Sequence, residues 1–224
     1  MRILAFDTSN QPLSVAVVSD DVILAEQLIN VKRNHSVQLM PIIDEVLKQA
    51  KLSLDEIDRI AVAKGPGSYT GLRIAATVAK SLAWTKDIEL VGVSSLKVVV
   101  GNRFDENTGE MIIPIFDARR QNIYTGLYTR KNDGEILEVM EDVHVAAEQW
   151  AEMLAQKEWP CPLTLIGADA PAFFEIFKEK LGDQVRLARP EQYLPRASVL
   201  AFLAQREEAT PAHSFTPTYL KLAE

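Results

Sequence analysis

The sequence predicts an α/β fold built from two similar units. Two apolar runs each end in an aspartate followed by a polar turn, at Ile3–Asp7 (ILAFD) and Ile112–Asp117 (IIPIFD). A hairpin pattern follows each run, and segments of helical periodicity then alternate with short apolar runs. The 224 residues are 47% hydrophobic and 25% charged, a balance that supports a folded core over long disorder. That length accommodates one sizeable domain or two small ones.

The first apolar run reads as a buried strand. LSVAVVSDD alternates imperfectly and ends in an Asp-Asp turn, after which VILAEQLI pairs back as a third strand. From Asn34 to Ala50, Leu39, Met40, Ile43, Val46, Leu47 and Ala50 recur at helical spacing, with Pro41 expected to bend the helix. Ile57–Gly65 is the next strand and Gly71–Trp84 the next helix. LVGVSSLKVVV then reads as a strand, a serine cap and a short helix or strand. GNRFDENTGE (Gly101–Glu110) is the most loop-like run and marks a boundary between lobes at 1–105 and 106–224.

Beyond the boundary the opening pattern repeats, with Asp117 in the place of Asp7 and an Asn-Asp-Gly turn between the hairpin strands. A helix over Ala146–Gln156, a strand over Leu163–Ile166 and a helix over Pro171–Lys180 follow. Two copies of one α/β unit account for this order, although any sheet with two hairpin openings would share it. A last helix begins near Ser198 and buries Val199, Leu200, Phe202 and Leu203. Tyr219 and Leu220 are placed to anchor the tail, which is expected to pack back on the first lobe.

Thirty-one acidic against 24 basic side chains give a net charge of -7, which repels a polyanion at long range, so contact with nucleic acid calls for a basic partner. The single cysteine, Cys161, has no metal-ligand spacing and reads as a structural thiol. The opening MRILAFDTSN lacks the long apolar core of a secretory leader. No stretch approaches the roughly 18 apolar residues of a membrane span. Both favour the cytoplasm.

The densest motif is KGPGSYTGLRIA, Lys64–Ala75. It is not a Walker loop, because Leu72 rather than lysine follows Gly71, and Thr70 stands where a dinucleotide fingerprint needs its third glycine. Gly65 and Gly67 allow a tight turn, and Ser68 or Thr70 can cap the helix that follows. Two readings stay open: backbone N–H groups at the helix start hold an anion, or the turn only packs strand against helix. Asp7 with Thr8 and Ser9, and Asp117 as its counterpart, would suit a hydrated divalent ion on nucleotide phosphates; equally, each aspartate caps its own turn. Arg119 and Arg120 could satisfy Asp117 without a metal. His35, His144 and His213 are isolated, and GADAPAFF (Gly167–Phe174) lacks the serine of a nucleophile elbow. The small alanines of the second helix and the broad apolar band of the first fit either an intramolecular core or an interface with a second chain.

MRILAFDTSNQPLSVAVV, RNHSVQLMPIIDEVL, IDRIAVAKGPGSYTGLRIAATVAKSLAW, VGVSSL and IFDARRQNIYTGLY together resemble the bacterial TsaB family, formerly YeaZ. The resemblance covers nearly the whole chain, including the PTYLKLAE tail. It implies two ribonuclease-H-like lobes of the actin-like, sugar-kinase and Hsp70-type ATPase superfamily. It implies a non-catalytic partner of the paralogous TsaD in forming N6-threonylcarbamoyladenosine next to the anticodon of tRNAs that read codons beginning with A. TsaE joins the complex, tRNA is met only through it, and a homodimer forms in isolation. TsaD-like proteins carry HxxxH on the first helix, whereas here His35-Ser36-Val37-Gln38-Leu39 leaves one histidine without a mate. No metal, cofactor or catalytic residue is therefore expected. Asp7, Thr8, Ser9, Gly65, Gly67, Ser68, Gly71 and Asp117 would form at most a weak or vestigial nucleotide site, since Ala75 replaces the glycine usual in the family's LRIG. The family interface maps onto Met40, Ile43, Leu47, Leu72, Arg73, Ala76 and Ala79. The competing function is an independent ATPase or small-molecule kinase of the same superfamily.

Overall fold

A computed structural model describes residues 1–30, 35–103, 109–131 and 133–220. Half of the expected boundary segment (104–108), the start of the first long helix at Asn34, Asn132 of the expected turn and the last four residues lie outside that set. The chain divides into two compact units, one formed by Met1–Val98 with Pro195–Tyr219, the other covering Val99–Leu194.

In the first unit, strands β1 (Arg2–Asp7), β2 (Leu13–Ser19) and β3 (Val22–Ile29) are followed by α1 (His35–Ala50), β4 (Arg59–Gly65), α2 (Tyr69–Lys86), β5 (Glu89–Ser94) and a short α3 (Ser95–Val100). The sheet order is β3-β2-β1-β4-β5, with the hairpin strands antiparallel and β1, β4 and β5 parallel. Alternation along β1 sends Leu4 and Phe6 to one face, where Leu39, Ile43 and Val46 of α1 and Ala75, Ala79 and Ala83 of α2 pack. Ile3 and Ala5 face the other side and meet Ala197, Leu200, Ala201 and Ala204 of a helix near the far end of the sequence, α6 (Ala197–Ala204). A sheet covered on both faces explains why β1 is apolar without interruption.

Ser68 caps α2 through the N–H of Gly71 at 3.3 Å, so the helix starts two residues before the expected position and takes Gly71 into its first turn. It ends at Asp87 in the left-handed conformation. α1 runs through Pro41, whose ring lies on the exposed side. SLKVVV resolves as helix. On the far face, Glu26 of β3 anchors the start of α6 by accepting the N–H and hydroxyl of Ser198 at 3.0 and 2.7 Å and pairing with Arg196.

The second unit repeats this order. Strands β6 (Met111–Pro114), β7 (Phe116–Arg119), β8 (Asn122–Arg130) and β9 (Ile136–Ala146) precede α4 (Ala147–Ala155), β10 (Leu163–Ile166), α5 (Ala170–Leu181) and β11 (Val185–Leu187). β6 and β7 pair with successive stretches of β8, so they act as one strand interrupted at Ile115. The expected single strand ending at Asp117 is thus corrected: it breaks after Pro114, which cannot donate to a ladder, and resumes through Asp117 to Arg119. With β6 and β7 taken together, β11-β10-β6/β7-β8-β9 reproduces β5-β4-β1-β2-β3, with the same parallel and antiparallel pairings. Trp150 and Leu154 of α4 and Phe173 and Phe177 of α5 fill the core over Ile113, Ile123 and Leu127. No helix among the described residues is long and apolar enough to cross a membrane.

Glu110, at the start of this unit, is buried and accepts from Arg103 at 2.8 and 2.9 Å, from Arg186 at 2.6 Å and from Thr164. Burial pushes its carboxyl up, but these donors outweigh it and hold the group below the ordinary 4.5. Its contribution to stability is therefore present above 4.5 and lost as the pH falls through the depressed native value. Glu110→Ala leaves Arg103 buried without its carboxylate and is expected to cost about 3–5 kcal/mol in urea denaturation at neutral pH, with a smaller difference in acid.

Candidate functional site

β1 delivers Asp7 to the bottom of a turn made by Thr8 and Ser9. All three are buried. Asp7 Oδ1 accepts the N–H of Ser9 at 2.7 Å, while Asp7 Oδ2 and Ser9 Oγ are buried with no hydrogen-bond partner. Burial pushes the Asp7 carboxyl up; the hydrogen bonding from Ser9 N–H and the electrostatic influence of nearby His35 oppose this only in part.

The glycine loop closes directly over this turn. The Ser68 N–H donates to Ser9 O and the Thr8 hydroxyl to Gly71 O, both at 2.7 Å. A Cβ on Gly71 would run into the carbonyl oxygen of Thr8, and one on Gly67 into that of Ser9, each closer than 3.0 Å. These glycines allow two backbones to touch. On the other side of the loop, the Thr218 N–H donates to Lys64 O at 2.7 Å and Gly65 N–H to the Ser95 hydroxyl at 3.1 Å. Asp7, Thr8, Ser9, Gly65, Gly67, Ser68 and Gly71 are thus brought together, with their polar groups turned largely on one another.

Asp117 belongs to the second unit. Its N–H donates to Asp169 Oδ2 at 2.9 Å, Oδ1 accepts the Arg119 N–H at 2.8 Å, and Oδ2 lies 3.3 Å from the Arg119 guanidinium. Here the aspartate holds its own turn. That turn carries Arg119, Arg120 and Gln121 at φ of 73°, 53° and 62°, a conformation that costs about 1–2 kcal/mol per non-glycine residue. Asn122 offsets some of this by donating its side-chain amide to the carbonyls of Arg119 and Arg120 at 3.1 and 3.2 Å. Among the described residues, no group of three histidine, cysteine or carboxylate side chains could hold a metal.

Of the expected interface residues, Ile43, Leu47, Leu72, Ala76 and Ala79 are consumed by this chain's own core. They fill the space between α1, α2 and the sheet. Met40 and Arg73 are exposed. The outward surface of the two helices instead presents Val37 and Met40 from α1 and Tyr69, Arg73 and Trp84 from α2, with Val37 71% and Trp84 73% exposed. Arg73 lies over the Tyr69 ring at 5.0 Å, and Tyr69 meets Tyr219 of the tail at 5.2 Å. Val37, Tyr69 and Trp84 were legible in the sequence only as apolar or aromatic residues falling outside the inward helical stripe.

Asp7 has a raised native value, so its contribution to stability is complete below the ordinary 3.8 and is lost as the pH rises through that native value. Asp7→Asn removes the loss. The variant is expected to be more stable than the parent at neutral pH, with the advantage vanishing as the pH falls below 3.8. Gly71→Ala is expected to lose about 3 kcal/mol or more in the same denaturation experiment.

Residues 23–223 match the family model for TsaD, tRNA N6-adenosine threonylcarbamoyltransferase. A Bacillus subtilis protein named tRNA threonylcarbamoyladenosine biosynthesis protein TsaB is 42% identical over 226 aligned residues, covering 100% of this chain and 96% of the relative. The Escherichia coli protein of the same name is 28% identical, covering 99% and 95%. Among solved structures, a Pseudomonas aeruginosa protein described as similar to peptidase YeaZ superposes with a TM-score of 0.83 at 26% identity, covering 98% of this chain and 99% of the other. A ROK hexokinase from Thermus thermophilus, at 12% identity and a TM-score of 0.53 with 92% and 98% covered, shares the fold. The chain, with its duplicated sheet and actin-like and sugar-kinase type of fold, belongs to the TsaB (YeaZ) family of tRNA threonylcarbamoyladenosine biosynthesis proteins.

Proposed function

We propose that this chain is a non-catalytic partner of TsaD in forming N6-threonylcarbamoyladenosine next to the anticodon of tRNAs that read codons beginning with A. It works in the cytoplasm, within a complex that TsaE joins, and meets tRNA only there. Family membership supports the pathway. The observation that carries the non-catalytic role is the closure of the glycine loop on Asp7: the turn that would cradle a phosphate is filled by the chain's own backbone.

The outward face of α1 and α2 is the surface for TsaD, and for a second copy of the chain in isolation. Its large exposed side chains, Met40, Val37, Tyr69 and Trp84 with Arg73, have the composition of a binding surface. Ile43, Leu47, Leu72, Ala76 and Ala79 contribute by holding the two helices beneath it.

The competing reading, an independent ATPase or small-molecule kinase, is favoured by the fold shared with the hexokinase. Calorimetry with ATP and magnesium separates the two: negligible heat is expected, while tight binding weakened by Asp7→Asn would establish the kinase reading. The purified chain alone is expected to leave a tRNA transcript unmodified, and addition of TsaD and TsaE to produce the modified nucleoside. Transfer by the isolated chain would refute the partner role. Met40→Asp combined with Val37→Asp is expected to abolish pairing with TsaD, and self-pairing, in size-exclusion chromatography while the circular dichroism spectrum of the chain alone stays that of the folded protein. Pairing that survives both charges would place the interface elsewhere.

A further inference from the structure

The hairpin between β7 and β8 breaks the sequence rule for its turn. A two-residue hairpin with both central residues left-handed is ordinarily built from Asn-Gly or Asp-Gly. Here the positions are Arg120 and Gln121, and Arg119 before them is left-handed too. It is the one run of three consecutive non-glycine residues at positive φ among the described residues. Residue types that the backbone disfavours are kept at an exposed tip, where packing does not demand them.

We propose that this tip is a phosphate-contacting site through which the chain touches the tRNA backbone within its complex, an inference that rests on the function proposed above. The Arg120 guanidinium is exposed and has no hydrogen-bond or ion-pair partner among the described residues. The Arg119 side chain is 87% exposed and held only by the 3.3 Å pair with Asp117. A guanidinium offers a planar fork that matches two phosphate oxygens. The backbone beneath is held still, with the Arg119 N–H on Asp117, Asn122 on two carbonyls, and the Ala147 N–H on Gln121 O at 2.9 Å. The acidic groups facing the turn, Asp117 and Asp169, are already engaged, Asp169 Oδ2 taking the Asp117 N–H. They hold the turn together and leave its outer side to the two arginines. In a chain of net charge -7, attraction to a polyanion has to be local, and this turn places two adjacent cations on a fixed mount.

The turn chemistry supplies a test in which folding and binding move in opposite directions. Arg120→Asn combined with Gln121→Gly installs the residues that the turn prefers, so the melting temperature is expected to stay level or rise. In the complex reconstituted with TsaD and TsaE, affinity for a tRNA transcript is expected to fall several-fold. The slope of log K against log salt is expected to become shallower by about 0.9 for each phosphate that is no longer neutralised. Arg119→Gln is expected to act in the same direction, and Lys178→Gln, in the last turns of α5, to change neither quantity. Unchanged affinity and slope with an intact fold would overturn the proposal. Weakened assembly with TsaD, while the assembled complex binds tRNA as before, would also overturn it by assigning the arginines to a protein surface. If the unmutated complex leaves tRNA unmodified, the proposed function fails together with this inference.

Discussion

The first unit depends on how closely two backbones approach: the turn after β1 and the loop before α2. Two hydrogen bonds of 2.7 Å join them, and no side chain beyond hydrogen fits at Gly67 or Gly71. That approach fixes where α2 begins, and with it which side of the helix meets the sheet and which looks outward. The tail reinforces it. Thr218 bonds to Lys64, Lys80 reaches the carbonyls of His213 and Phe215, and the Phe215 ring packs against Gly92, where a Cβ would collide with it. Residues more than a hundred positions apart thereby stabilise the same loop.

The same closure gives Asp7 its unusual environment. A carboxylate with one unpartnered oxygen costs about 1–3 kcal/mol when buried, and more when charged. The chain tolerates this because the turn, the cap of α2 and the core beneath are formed together. A residue that reads in sequence as a ligand thus sits in the fold as a packed group.

Much of the architecture was legible in the sequence because it rests on periodicity. The uninterrupted apolar run ILAF marked β1 as a buried strand, helical spacing located α1, α2, α4 and α5, and the two aspartate-terminated runs pointed to a duplication that the strand order repeats. Less legible was anything decided by three-dimensional competition. α1 and α2 carry apolar residues around more of their circumference than one sheet face covers. Sequence spacing could not say that Ile43 and Ala79 fall inside while Val37 and Trp84 remain out. The interruption at Ile115 depends on Pro114 in its strand context. The tail offers only Pro211, Phe215 and Tyr219 to suggest that it crosses the first sheet rather than extending the second. The glycine loop allowed two readings for a physical reason: close approach to a phosphate and close approach to another backbone require the same missing Cβ.

Asp7 and the turn Arg119–Gln121 both disobey local rules, and accessibility separates them. At Asp7 the rule against a buried, half-partnered carboxyl is broken under a loop joined to its turn by backbone pairing. At Arg119–Gln121 the rule against left-handed non-glycine residues is broken at the surface, on a turn braced from below and open above. Strain in the first location can be relieved only by changing this chain, whereas side chains presented by the second can be used by another molecule without any internal rearrangement. The supporting role proposed above for this chain calls for the second kind of site.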